Sequence, residues 1–343
     1  MTSSPLFRRR EALITGLACA AGVLSVASLS RTSHANKILL NVSYDSTRKL
    51  YQIINTAFLN QNPDFPFKLL VSNGGSRSQA LSIVNGEPAS IATLGDVSDF
   101  DFLAKNGLID KEWRSHFPFQ SSPYHSTIVF LVRKGNPKHI YDWSDLARSD
   151  IEIITPNPKT SSGAKWNYLA AWGWAIHQWP HAPEQARNYM KNVFSHVPVF
   201  DTSARSSTNT FVRREIGDVL LAWETDAMLS TQETGKGLFD IVIPSRSILA
   251  QPSVAIVEHY TQRHGLTKAG RHYLEFLYTP EGQTISAHNF FRPSDPAMKP
   301  LIQKIFADIS LFSLSDLGSM AELTKEHFAP NALFDQIQAG GRT

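Results

Sequence analysis

Nine short runs rich in apolar and β-branched residues recur along the chain, at 38–43, 67–71, 91–94, 126–133, 151–155, 197–200, 219–223, 239–243 and 254–257. They read as strands. Between many of them apolar residues return at helical spacing. In the first such segment Leu50, Ile53, Ile54, Ala57 and Phe58 share one face. Strands alternating with helices predict an α/β fold with largely parallel sheets. Ligands of such folds bind beyond the carboxyl ends of the strands, where helices begin.

Four of these strand-to-helix junctions are rich in Ser, Gly and Asp. In "SYDSTRKL", Asp45 or Ser46 can cap the helix that follows. In "SNGGSRSQA", Gly74 and Gly75 allow unusual backbone angles, Ser76 reads as an N-cap, and Gln79 completes a capping box. In "TPNPKTSSGAKW" the helix starts at Ser161, Ser162 and Gly163. In "FDTSARSSTNTF" it starts at Ser203 and Ala204. A helix start carries unpaired N–H groups and about half a positive charge, so it attracts anions. Ser and Asp begin many helices without any ligand; four such junctions in one α/β chain raise the expectation of an anion site.

The first 35 residues stand apart. Arg8, Arg9 and Arg10 precede an apolar stretch that ends in Ser33-His34-Ala35. This is the pattern of a secretory signal, and the "RRREALITG" run suggests the twin-arginine route. A membrane anchor is disfavoured by Gly16, Gly22 and several serines. The segment holds four arginines and one glutamate, a net of +3, and the whole chain is +3. The remainder is therefore formally neutral, and its charge gives no reason to expect nucleic acid as a partner. The single cysteine, Cys19, lies in the segment. Cleavage at Ala35 leaves no thiol for a disulfide, a metal or nucleophilic chemistry.

Catalytic and metal patterns fail. No "GxSxG" elbow surrounds Ser161. His177 and His181 stand four apart in "HQWPH", but Pro180 breaks the helix that would align them on a metal. "NGGS" lacks the Gly-Lys-Ser/Thr of a phosphate-binding P-loop. Trp166, Trp172 and Trp174 on one helix read as packing.

The junction motifs, together with "SSPYHSTIVFLVRKGNPKHIYDWSDL", "FDTSARSSTNTFVRREIGDVLLAWE", "SRSILAQPSVAIV", "LYTPEGQ" and "NFFRP", resemble the periplasmic sulfate-binding proteins of ABC sulfate/thiosulfate importers. The resemblance runs from about Lys37 to Ile337. It implies an α/β, two-lobed periplasmic-binding-protein fold of type 2 with the ligand cleft between the lobes. By this reading residues 1–35 are the signal and 36–125 the first part of lobe one. Residues 126–253 are a crossing strand and lobe two; 254–343 return to lobe one and add a C-terminal helix.

Carried over residue by residue, the resemblance implies that one dehydrated sulfate is held without metal or cofactor. The backbone amides of Asp45, Ser76, Ser162, Gly163 and Ala204, the Ser161 hydroxyl and the Trp223 indole N–H would be the donors. The protein would be periplasmic and monomeric, would deliver sulfate to a membrane permease, and would catalyse nothing. Thiosulfate is the alternative ligand, though thiosulfate relatives tend to lack the tryptophan of "AWE", present here as Trp223. A secreted hydrolase of sulfate or phosphate esters is a remote alternative, with neither nucleophile nor metal ligands in view. Two positions depart from the family pattern: Ser162 replaces a usual Gly, and "NGGSR" places Asn73 and Arg77 in a motif that is usually His-Gly-Gly-Ser-Gly.

Overall fold

The computed structural model describes residues 38–340 apart from residue 235. The expected signal, residues 1–35, lies outside the described residues. Each of the nine expected runs contains or overlaps a strand. Two main sheets form two lobes. In the first, Ile38–Tyr44 lies between Lys68–Gly74 and Ile91–Leu94 and runs parallel to both. Ser253–Ile256 pairs antiparallel with Ile91–Leu94. In the second, Phe200–Asp201, Ile153–Pro156 and Val219–Trp223 run parallel. Ile128–Arg133 and then Phe239–Val242 extend this sheet antiparallel.

The inner strands of both sheets are buried on both faces, which is why they read as continuous apolar runs rather than as alternation; the edge strand Lys68–Gly74 is only partly covered. In the first lobe Leu39, Ile91, Val254 and Ile256 pack on one side with the helix Arg48–Gln61. Val42, Ala92, Ala255 and Val257 pack on the other with Phe100, Leu103 and Trp113. The second lobe divides likewise. Ile128, Phe130, Val132, Leu221 and Trp223 face the long helix Ser162–Gln178, and Val129, Leu131, Leu220 and Ala222 face Phe211 and Ala227. In the first helix Leu50, Tyr51, Ile54 and Phe58 are buried, while Ile53 is exposed. Tyr51 takes the inward place because its hydroxyl meets that of Tyr124 at 2.9 Å.

The chain crosses between the lobes at an antiparallel bridge. The Ser126 amide donates to the Ala250 carbonyl at 2.9 Å, and the Ala250 amide donates back at 3.0 Å. A further crossing was not foreseen. From Ser310 the chain is back on the second lobe, where Ser310–Phe312 pairs parallel with Arg246–Ile248. Phe312, Met320, Leu323, Phe328, Phe334 and Ile337 then join the second core. The expectation had returned residues 254–343 to lobe one and ended them in one helix. The tail is instead a series of short turns and helices, ending in Leu333–Gly340. Gly318, at φ 125°, and the Ala329-Pro330 step interrupt it.

Candidate functional site

At the facing carboxyl ends of the two sheets, four helix starts meet, two from each lobe. After Tyr44 the chain makes a 3-10 turn, Asp45–Thr47, that leads into Arg48–Gln61. The Tyr44 carbonyl is already engaged by the Thr47 hydroxyl at 2.6 Å and the Asn73 amide at 3.2 Å. Asn73 therefore ties two strand ends together. The Asp45 carboxylate turns out toward Arg48, 3.7 Å away, so its amide is what the turn presents inward.

At the second junction the helix is Ser76–Val84, and its N-cap is Gly75, without a side-chain cap. The expected capping box does not form. The Ser76 hydroxyl donates to Asp99 at 2.6 Å and accepts from the Gly95 amide at 3.2 Å. Gln79 reaches back to the carbonyls of Ser43 and Ser72. Among the described residues the amides of its first turn are left without an acceptor. Arg77 turns away from the helix start: it lies 3.3 Å from Asp99 and stacks over Phe102 at 3.9 Å.

The second lobe supplies Ser161 as N-cap of Ser162–Gln178 and Ser203 as N-cap of Ala204–Val212. The Ser161 hydroxyl accepts from the Ala164 amide at 3.4 Å, which leaves its own proton to donate. Ser162 has right-handed backbone, since it is absent from the positive-φ positions. A side chain there costs nothing conformationally, and its amide still points out of the helix start. Trp223 ends the central strand of the second sheet, 3 % exposed.

All seven expected site residues (Asp45, Ser76, Ser161, Ser162, Gly163, Ala204 and Trp223) line one cavity of about 20 Å³, joined there by Tyr44, Ser46, Gly74, Gly75 and Ser203. Among the described residues no protein atom accepts from the amides of Asp45, Ser76, Ser162, Gly163 or Ala204, or from the Trp223 indole. No Lys, Arg or His lines the cavity. A single water needs roughly 10–15 Å³, so the space suits one compact ion and not an organic ester. Among the described residues no cluster of His, Cys, Asp or Glu could hold a metal. His177 is on the long helix, which ends at Gln178, before His181.

Contacts that span the lobes surround the cavity. Lys165 Nζ pairs with Asp96 at 2.8 Å, the Trp166 indole donates to the Gly95 carbonyl at 2.8 Å, and the Ser46 hydroxyl donates to Asp226 at 3.0 Å. Burial opposes ionisation of Asp96, but Lys165 outweighs it and holds the carboxyl below its ordinary value. Burial, then repulsion from Asp96, pushes Asp99 up to about 6. Burial, with Asp45 adding and the Ser46 bond opposing, pushes Asp226 up to about 6. As pH falls through 6 both carboxyls protonate, removing negative charge from behind the donors. The donors themselves do not titrate between about pH 5 and 8. His125 lies outside the cavity, and burial, then Arg292, lowers its pKa to about 4. It is therefore neutral over that range.

Glu224, beside Trp223, is clamped by Arg292 in a buried bidentate pair at 2.6 and 2.8 Å. Sequence reasoning missed this pair, Asp226 and the Lys165–Asp96 contact. Partners 68 to 180 residues apart leave no local pattern.

Residues 39–292 match the family described as bacterial extracellular solute-binding protein. The chain is 47 % identical over 303 residues to the sulfate-binding protein of Escherichia coli (strain K12), which covers 87 % of this chain and 92 % of that one. It is 38 % identical over 315 residues to the thiosulfate-binding protein of Pseudomonas aeruginosa, with coverage of 90 % and 95 %. Among solved structures, the sulfate-binding protein SubI from Mycobacterium tuberculosis H37Rv superposes with a TM-score of 0.78 at 28 % identity. That match covers 85 % of this chain and 100 % of that one.

Proposed function

The chain belongs to the bacterial extracellular solute-binding protein family, and we propose that within it this protein captures sulfate outside the cytoplasm and hands it to the membrane permease of an ABC importer. It is a binding protein and not an enzyme. The observation that carries the ligand assignment is the cavity itself, small and lined by donors that have no protein acceptor among the described residues. Sulfate is a dianion at neutral pH and offers acceptors only, so the two match.

The magnitudes agree with tight binding. Seven hydrogen bonds to a charged partner, at ~1.5–3 kcal/mol each, exceed the ~8 kcal/mol of micromolar affinity. The surplus is consumed in stripping water from the dianion and closing the lobes. Hydrogen phosphate would bring an O–H into a ring of donors and leave it unpaired, at ~1–3 kcal/mol. Sulfate is favoured over thiosulfate by the higher identity to a sulfate-binding protein and by the Trp223 donor. The periplasm as location, the permease as partner and the monomeric state belong to the same proposal.

The test is calorimetry of the purified protein with sulfate in the presence of a chelator. One site per chain with unchanged affinity is expected. Affinity abolished by the chelator and restored by a divalent cation would overturn the assignment.

Gly163 offers a sharper check, because affinity and stability should move apart. A Cβ there would sit 3.1 Å from Trp223 Nε1, 3.4 Å from Ala204 Cβ and 3.5 Å from Ser161 Oγ. It would crowd two of the donors, the Trp223 indole N–H and the Ser161 hydroxyl. Gly163→Ala should therefore weaken sulfate binding at least tenfold. Unfolding free energy should change by less than about 1 kcal/mol, since the helix preference of Ala offsets the close 3.1 Å contact. Equal losses in both would mean that Gly163 serves packing alone.

A further inference from the structure

Next to the small cavity lies a larger cleft of about 500 Å³ that shares Asp45 and Ser46 with it. The Ser46–Asp226 hydrogen bond stands at their boundary. The cleft is lined from both lobes by cations: Arg48 and Lys49 at the start of the first helix, and Arg205 and Arg213 at either end of the helix Ala204–Val212. Asp45 and Asp226 are the carboxylates facing them. Among the described residues, Arg205 and Arg213 have no carboxylate within ion-pair distance, and both are exposed. The body of the chain is formally neutral, so this concentration of positive charge is local. None of the four cations lines the ligand cavity itself.

We propose that this cleft is an electrostatic vestibule: a transient binding site for small oxyanion dianions that raises their rate of arrival at the inner cavity. The inference rests on the sulfate reading above. Cations beside, but not in, the final site act on the approaching ion more than on the bound one. The bound ion has shed its water and is held by oriented dipoles, whereas the approaching ion is hydrated and responds to net charge. Four cations against two carboxylates leave the cleft net positive, and a cleft in which one sign of charge dominates focuses field lines and raises association rates, by about 10- to 1000-fold where the charge is of one sign throughout. The effect must fade with salt, because the Debye length falls from ~30 Å at 0.01 M to below 10 Å above 0.1 M. Placing the cations off the cavity also leaves release to the importer undamped.

The experiment is stopped-flow fluorescence of sulfate binding, at sulfate concentrations where the rate is second order, in about 10 mM and about 300 mM sodium chloride. The wild-type protein is compared with Arg205→Gln/Arg213→Gln and with Arg205→Glu/Arg213→Glu. The wild-type association rate should fall about tenfold across the salt range. At low salt the Gln pair should bind about 3- to 10-fold more slowly and the Glu pair more slowly still, both with flatter salt dependence. Dissociation rates should stay within about twofold. Association rates that match wild type at low salt, or losses confined to dissociation, would overturn the vestibule. Wild-type protein that fails to bind sulfate at all would overturn the ligand assignment instead, so the two failures are distinguishable.

Discussion

Replacing Trp223 by Phe should weaken sulfate binding about 10- to 150-fold while leaving the fold largely intact. The range is the worth of one hydrogen bond to a charged group, ~1.5–3 kcal/mol. The indole N–H has no protein acceptor among the described residues and borders the cavity, where a Cβ on Gly163 would lie 3.1 Å from it. The ring also packs: Tyr44 is 5.8 Å away and Trp166 6.3 Å, centroid to centroid. Phe keeps an aromatic ring there but is smaller than the buried indole, so the stability loss should be the ~1–3 kcal/mol of a partial large-to-small core change. The two contributions are separated by measuring affinity calorimetrically and unfolding by urea on the same preparation. An unchanged dissociation constant would make Trp223 a packing residue only.

Arg292→Met should give the largest loss of stability. Arg292 and Glu224 are 6 % and 2 % exposed and joined by two hydrogen bonds, and Arg292 also donates to the Ala307 carbonyl at 2.7 Å. Removing the cation strands a buried carboxylate, at ~3–5 kcal/mol. In a protein of this size that lowers the melting temperature by roughly 5–8 °C. The control is the double variant Arg292→Met/Glu224→Met. Replacing both charges by apolar groups is often neutral, so it should recover at least half of the loss. A double variant as unstable as the single one would show that the lost packing of Arg292 over the Phe306 ring, and not the stranded charge, dominates.

The fold was legible where sequence signals are local. The runs at 91–94 and 219–223 coincide with strands to the residue, because both-face burial makes them apolar but for Thr93, whose hydroxyl is taken up by Asn41. Strands of two or three residues, such as Tyr124–His125 and Arg246–Ile248, were not seen. They carry too few positions to show a period, and their pairing is fixed by residues far along the chain. Ile53 was placed inward by spacing alone, whereas Tyr51 won that place through its bond to Tyr124.

At the junctions, residue type announced helix starts but not who caps whom. Ser76 looked like a cap, yet the structure gives its hydroxyl to Asp99, a partner 23 positions on that no local motif signals. That choice bears on function, since a side-chain cap would have occupied the amides left open toward the cavity. The fate of Arg77 was equally hidden. It stands beside the helix start in sequence, but Asp99 and Phe102 draw its side chain away.

The central claim is that one tetrahedral dianion sits among neutral donors from both lobes. Anomalous diffraction from crystals grown with selenate, an isostere of sulfate, tests it most directly. The account requires a single selenium peak in the cavity, with oxygens within about 3 Å of the Asp45, Ser76, Ser162, Gly163 and Ala204 amides, the Ser161 hydroxyl and the Trp223 indole, and no cation alongside. A selenium peak elsewhere, or one in the cavity bridged by a metal ion, would contradict it.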